Sequence, residues 1–175
     1  MKKVMAIIGS LRAGSSNHSV VEHVRAASEG GLEIEIYDGL RRLPQFNPDL
    51  DTDEPPSEVK VLRKTIRDAD GILISTPEYV FGVPGSLKNA IDWTVSSADF
   101  LGKPVALITA SSVGEKAHES LLLTLRTVDA LIDEDSAVLI SHIKAKMDAD
   151  GKIKHPETIE MLDRLIDSFI ETLNK

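Results

Sequence analysis

The chain contains no cysteine, which excludes disulfides, thiolate nucleophiles and cysteine-ligated zinc together. It also lacks long apolar runs. Stretches such as Val105-Ala106-Leu107-Ile108 fall far short of the ~20 residues a membrane span requires. Met1-Lys2-Lys3 leads directly into a strand pattern, without the apolar region and cleavage site of a secretory signal. These absences predict a soluble, cytoplasmic protein with no membrane partner. Positive charge is the third deficit: 20 Lys and Arg stand against 28 Asp and Glu, a formal net charge of −8. An acidic surface repels phosphate backbones, so nucleic acid is not an expected partner.

What is present suffices for a core. With 175 residues, 42% of them hydrophobic, the chain is sized for one domain over residues 1–175. Lys3 to Ile8 is an apolar run of strand length closed by Gly9. Val20, Val21, Val24 and Ala27 follow at near-helical spacing, with Ser19 and Glu22 available as a capping box. Leu32 to Tyr37 alternates apolar and acidic residues, as a strand near a sheet edge does. Asp38 to Pro56 is a long, proline-bearing, mostly polar connection, of a length that is usually functional or mobile. A second helix turns Val59, Leu62, Ile66 and Ala69 inward before a third strand, Gly71 to Ile74. The next helix places Leu87, Ala90, Ile91 and Val95 on one face. Val105 to Thr109 is a fourth strand, a fourth helix buries Leu121, Leu125, Val128 and Ile132, and Ala137 to Ile140 is a fifth strand. The last helix starts at Pro156, the favoured first helical position.

Strands alternating with helices predict an α/β fold, a three-layer sandwich whose five-stranded parallel sheet is covered on both faces. The short doubly wound order 2-1-3-4-5 fits the count, and it places a ligand crevice beyond the carboxyl ends of strands one and three. The loops there are Gly9–Asn17 and Thr76–Gly85, with Ala110–Gly114 beside them. In the first, a helix N-terminus offers free N–H groups and partial positive charge. Ser10, Ser15, Ser16 and Asn17 add donors and Arg12 a guanidinium, which suits a phosphate. Plain N-capping by Ser15 or Ser16 explains one hydroxyl but not the cluster. The second loop combines rigid Pro77 and Pro84, permissive Gly82 and Gly85, and flat Tyr79 and Phe81, which makes a rigid aromatic wall.

G-S-L-R-x-x-S-x-N after strand one, with P-E-Y-x-x-G-x-P-G-x-L-K-N-A-x-D-W after strand three, resembles the NAD(P)H-dependent FMN reductase family. That family is flavodoxin-like in fold and includes quinone, azo-dye and chromate reductases. Leu43-Pro44-Gln45-Phe46-Asn47-Pro48-Asp49 and Asp150-Gly151 are also similar to family sequences. The resemblance implies an oxidoreductase that passes hydride from NADPH or NADH through flavin N5 to a small electrophile: free flavin, a quinone, an azo compound or a metal oxyanion. It implies that Ser10, Arg12, Ser15, Ser16 and Asn17 hold the FMN phosphate. Pro77, Glu78, Tyr79 and backbone around Val80 and Phe81 would line the isoalloxazine, with Ser112 and Gly114 closing the third side. No side chain would act as catalytic acid or base, and no metal is expected. A homodimer or homotetramer is implied in the same way. Val80 stands where the family usually has Asn, and Ala117-His118 where it usually has Gly-Gly.

Two other readings of the same fold are a one-electron flavodoxin-type carrier and a flavin-binding protein without turnover. A threonine-rich phosphate loop would mark the carrier; serines and Arg12 stand here instead. A receiver domain would need an aspartate ending strand three, where the chain has Ser75. Asp49, Asp51, Asp53 and Glu54 read as a solvated acidic loop. His118 either meets the flavin or substrate or is an ordinary exposed helix residue. Arg41 and Arg42 form an exposed basic pair near the crevice, either meeting an NADPH phosphate or simply solvated.

Overall fold

Alternation within the strands decides which helix covers which face. Side chains of a strand point to opposite faces in turn, and both faces here are apolar. The structure, a computed structural model, describes residues 1–175. Strands β1 (Lys2–Ile8), β2 (Leu32–Tyr37), β3 (Gly71–Thr76), β4 (Val105–Ala110) and β5 (Ala137–Ile140) form one parallel sheet in the order β2-β1-β3-β4-β5. Val4, Ala6 and Ile8 of β1 face helices α1 (Ser16–Ala27) and α5 (Pro156–Leu173), packing with Val20, Val24, Leu162, Leu165 and Phe169. Met5 and Ile7 face α2 (Ser57–Asp68), α3 (Gly85–Asp92) and α4 (Glu115–Thr127), packing with Leu62, Ile66, Leu87, Ile91 and Leu121. The expected three-layer, doubly wound sandwich is the fold.

Registry brings the site loops level. Ile8 pairs with Ser75, Thr76 with Thr109, and Ala110 with Ile140, so β1, β3, β4 and β5 end together on one rim. Gly9, at the end of β1, lies so close to β3 that an added Cβ would sit 2.4 Å from Thr76 Oγ1. Only glycine allows the first loop to leave the sheet there.

Several local expectations need correction. The α1 N-cap is Ser15, whose side chain accepts from the His18 N–H, not a Ser19–Glu22 box. The box residues lie inside the helix because the chain turns at the loop, four residues earlier. Helix α3 ends at Asp92, so Val95 falls beyond it and is exposed. Val128 and Ile132 lie past the end of α4 and are only partly buried. The long connection from Asp38 to Pro56 holds two short 3-10 turns, Gly39–Arg42 and Pro48–Leu50, and buries Leu40 and Leu43. It is pinned to α3. Asn89 accepts from the Phe46 N–H at 2.7 Å and donates to the Pro44 carbonyl at 3.0 Å, and Trp93 Nε1 donates to the same carbonyl at 2.9 Å. Phe46 meets the Trp93 ring edge-on at 5.0 Å. Nor is the acidic stretch wholly solvated: Asp51 makes a nearly buried ion pair with Arg63 at 2.6 Å. Burial pushes the Asp51 carboxyl up, but Arg63 and Ser96 outweigh it and hold the pKa below the usual value.

Candidate functional site

A cleft of about 580 Å³ opens at the rim, within the range of small-molecule sites. Its first wall is the β1–α1 loop. The backbone N–H groups of Ser16 and Asn17 open α1 and donate to no protein acceptor. They carry the positive end of the helix dipole and suit an anion. Ser15 is 3% exposed and Asn17 likewise. The Asn17 side chain is built into the sheet: it donates to the Ala110 carbonyl at 3.0 Å and accepts from the Ser75 hydroxyl at 2.9 Å. Asn17 therefore clamps α1 to β3 and β4 and offers the cleft its backbone N–H. Arg12 lines the cleft and forms no ion pair.

The β3–α3 loop supplies the second wall through Pro77, Glu78 and Tyr79. Tyr79 is half-exposed, its hydroxyl 3.2 Å from Ser10 Oγ, so the two loops touch across the cleft. The Glu78 carboxylate is taken up by the protein itself. It accepts from the N–H of Ala117 at 2.9 Å and of Gly114 at 3.3 Å. Gly114, the α4 N-cap, has φ +100° and no side chain to cap with. Glu78 caps α4 in its place, from another loop, and its own N–H is held by Ser111 Oγ at 3.1 Å.

Beyond Tyr79 the chain makes a two-residue hairpin turn. Tyr79 and Gly82 exchange both backbone hydrogen bonds at 3.0 Å, with Val80 at φ 50° and Phe81 at φ 57°. Turns with two positive φ values favour Asn and Gly, and a β-branched residue there is strained. Val80 is 98% exposed and Phe81 75%. The hairpin carries both side chains outward at the tip, away from the cleft lining, so only the backbone of this turn is left to border a ring, as expected of it.

Ser111 and Ser112 form the third wall. Gly114 is not part of it: it is buried beneath, where an added Cβ would sit 2.7 Å from Leu139. His118 also turns inward, its Nδ1 2.9 Å from Thr109 Oγ1, and burial lowers its pKa. It does not reach the cleft lining. A fourth wall was missed in the sequence. His142, Ile143, Lys144 and Ala145, just after β5, line the cleft too. The N–H groups of His142 and Ile143 donate to the carbonyls of Ser112 and Ser111 at 3.1 Å, and Ser141 Oγ donates to the Val113 carbonyl at 2.8 Å. The only signal for this wall was position, since ligands of open α/β sheets gather at strand carboxyl ends.

The geometry tests whether FMN fits. A phosphate has free helix N–H groups, hydroxyls and an uncompensated guanidinium at one end; a planar ring has Pro77, Tyr79 and backbone at the other. The residues present fit the cofactor. Comparison with known proteins agrees. Residues 2–145 match the model of the NADPH-dependent FMN reductase family. A quinone reductase of Escherichia coli K12 is 33% identical over 168 residues, covering 93% of this chain and 86% of the relative. An NAD(P)H-dependent FMN reductase of Pseudomonas aeruginosa is 34% identical over 167 residues, covering 93% and 90%. Among solved structures, the flavoenzyme NAD(P)H:(acceptor) oxidoreductase FerB from Paracoccus denitrificans superposes with a TM-score of 0.81 at 30% identity, covering 99% of this chain and 98% of its own. With the family model spanning every loop of the cleft, the chain belongs to the NADPH-dependent FMN reductase family and is a flavin-dependent oxidoreductase.

Proposed function

We propose that the protein is an NAD(P)H-dependent quinone reductase of the cytoplasm, acting on a small-molecule acceptor as a homodimer or homotetramer. The observation that carries the reading is the joining, in one cleft, of a loop bearing two free helix N–H groups and an unpaired guanidinium with a half-exposed aromatic wall. Bound there, FMN supplies hydride acceptance from NAD(P)H at N5 and its return to an electrophile, and this chemistry is the cofactor's own. The protein binds and orients. The N–H groups of Ser16 and Asn17, the hydroxyls of Ser10 and Ser15 and the Arg12 guanidinium hold the phosphate. Pro77, Tyr79 and the backbone of Glu78 and Ser112 border the ring. Reduction of a quinone takes one hydride and one proton; with no side chain assigned to it, the proton comes from water in the open cleft. A planar quinone suits the flat Tyr79 face better than a compact oxyanion does, and the quinone reductase relative supports this choice.

An anaerobic absorbance spectrum of the FMN-loaded protein tests the reading. Prompt bleaching of the flavin bands by NADPH or NADH, and their return on adding a quinone, is the expected result. Bands that stay oxidised would instead mark a one-electron carrier or a flavin-binding protein without turnover.

A further inference from the structure

The phosphate loop has a second cavity on its other side. One wall is the loop itself, through Ser10, Arg12 and Ser15, which also line the flavin cleft. The opposite wall is the end of β2 and the turn after it, including Asp38, Arg41 and Arg42. Since β2 and β3 flank β1 on opposite sides, the loop separates this cavity, of about 570 Å³, from the cleft.

The charges on the β2 side are unequal. Arg42 is matched by Asp38 at 2.9 Å. Arg41 forms no ion pair; its Nη2 rests 3.4 Å from the Leu11 carbonyl of the phosphate loop. Arg12, across the cavity, is uncompensated too. Arg41 thus borders this concave space without an ion pair, beside the Arg42–Asp38 pair and opposite Arg12, the guanidinium assigned to the flavin phosphate, in a chain of net charge −8. A guanidinium fork matches a phosphate monoester, donating two parallel hydrogen bonds to its oxygens.

We infer that Arg41, facing Arg12 across this cavity, binds the adenosine 2′-phosphate of NADPH and sets a preference for NADPH over NADH. The inference rests on the reading of the cleft as the flavin site. A hydride donor stacked there must direct its adenylyl end out of the cleft, and the cavity sharing the phosphate loop is lined by cations. Arg42, already neutralised by Asp38, contributes little to this preference.

The test separates binding from turnover. FMN-loaded wild type, Arg41→Ala and Arg42→Ala are titrated calorimetrically with adenosine 2′,5′-bisphosphate, adenosine 5′-monophosphate and inorganic phosphate. Wild type and Arg42→Ala are expected to bind the bisphosphate about tenfold or more tightly than the monophosphate, as one charge-assisted phosphate contact implies. Arg41→Ala is expected to lose that difference while retaining FMN. In steady state its KM for NADPH rises by a similar factor, with kcat and the NADH parameters unchanged. The proposal is overturned by equal affinity for the two nucleotides in wild type, or by a preference that survives Arg41→Ala. Inorganic phosphate binding as tightly as the bisphosphate would also overturn it, revealing a plain anion site. So would loss of FMN from Arg41→Ala, which would assign this guanidinium to the flavin phosphate. A wild type that keeps the 2′-phosphate preference yet reduces no acceptor would sink the reductase reading alone.

Discussion

Two residues of the second loop behave in ways that their chemistry alone did not announce. Glu78 is a carboxylate beside a redox cleft, yet its oxygens cap α4 through the N–H groups of Gly114 and Ala117. Glu78→Ala removes that cap and is expected to cost about 0.5–2 kcal/mol in urea unfolding, the usual range for a lost N-cap. Glu78→Gln keeps an acceptor and should lose less. FMN affinity should weaken in the same order, because the Ser111–Ser112 wall leads into the helix that Glu78 fixes. Equal stability of the three proteins would remove Glu78 from this role. Val80 is the opposite case, a residue that fits its site badly. At φ 50°, with its side chain in water, it gains nothing from packing and bears the strain of a β-branched left-handed residue. Val80→Asn is expected to raise stability by about 1 kcal/mol, a typical strain energy for such a residue. A shift of the urea midpoint upward at constant slope would register it; a fall would show that the Val80 side chain is held by something this fold does not display.

At the scale of elements, α3 does more than cover the sheet. Its Asn89 and the adjoining Trp93 tie down the connection between β2 and α2, which would otherwise be a long unsupported loop. Asn89→Ala leaves the Phe46 N–H without its acceptor and is expected to destabilise by about 1–3 kcal/mol. Limited proteolysis should then cut between residues 44 and 54 faster than in the wild type, while the remaining chain resists. Uniform protection of the loop would count against the clamp. The same elements show what the sequence made legible. The strands could be read because four are short apolar runs bounded by turn residues and β2 alternates apolar with acidic residues, and the crevice because strand order fixes where loops converge. The α1 start was misread because Ser19 and Glu22 satisfy a capping pattern that Ser15 satisfies in space. Asn89 and Trp93 stand in a motif shared with flavin reductases, yet neither lines the cleft; they hold a loop. The wall after β5 has no local motif at all. It exists because His142 and Ile143 hydrogen-bond to Ser112 and Ser111 from a distant part of the chain, and pairing at that separation leaves no periodicity to read.

At the scale of the whole molecule, the cleft joins four loops from strands that end on one rim, so a ligand that fills it links the two faces of the sandwich. Binding to the folded state alone stabilises by mass action, about 2.7 kcal/mol when free ligand is one hundred times its Kd. For a domain of this size each kcal/mol moves Tm by roughly 2–4 °C, so saturating FMN should raise Tm by about 5–11 °C. The phosphate loop makes a sharper demand. Riboflavin has the same ring and no phosphate, so it should bind through the Pro77–Tyr79 wall alone and shift Tm less at equal concentration. Arg12→Ala, an exposed residue without an internal partner, should leave the unliganded Tm near that of wild type. It should reduce the FMN shift while leaving the riboflavin shift unchanged, because the deleted guanidinium and the missing phosphate are two ends of one contact. Deleting either end then has the effect of deleting both, the non-additivity that marks a direct interaction. If Arg12→Ala instead lowered both shifts equally, the guanidinium would be acting on the ring or on the loop as a whole, and the phosphate would have to be held by the α1 N-terminus and its serines without it.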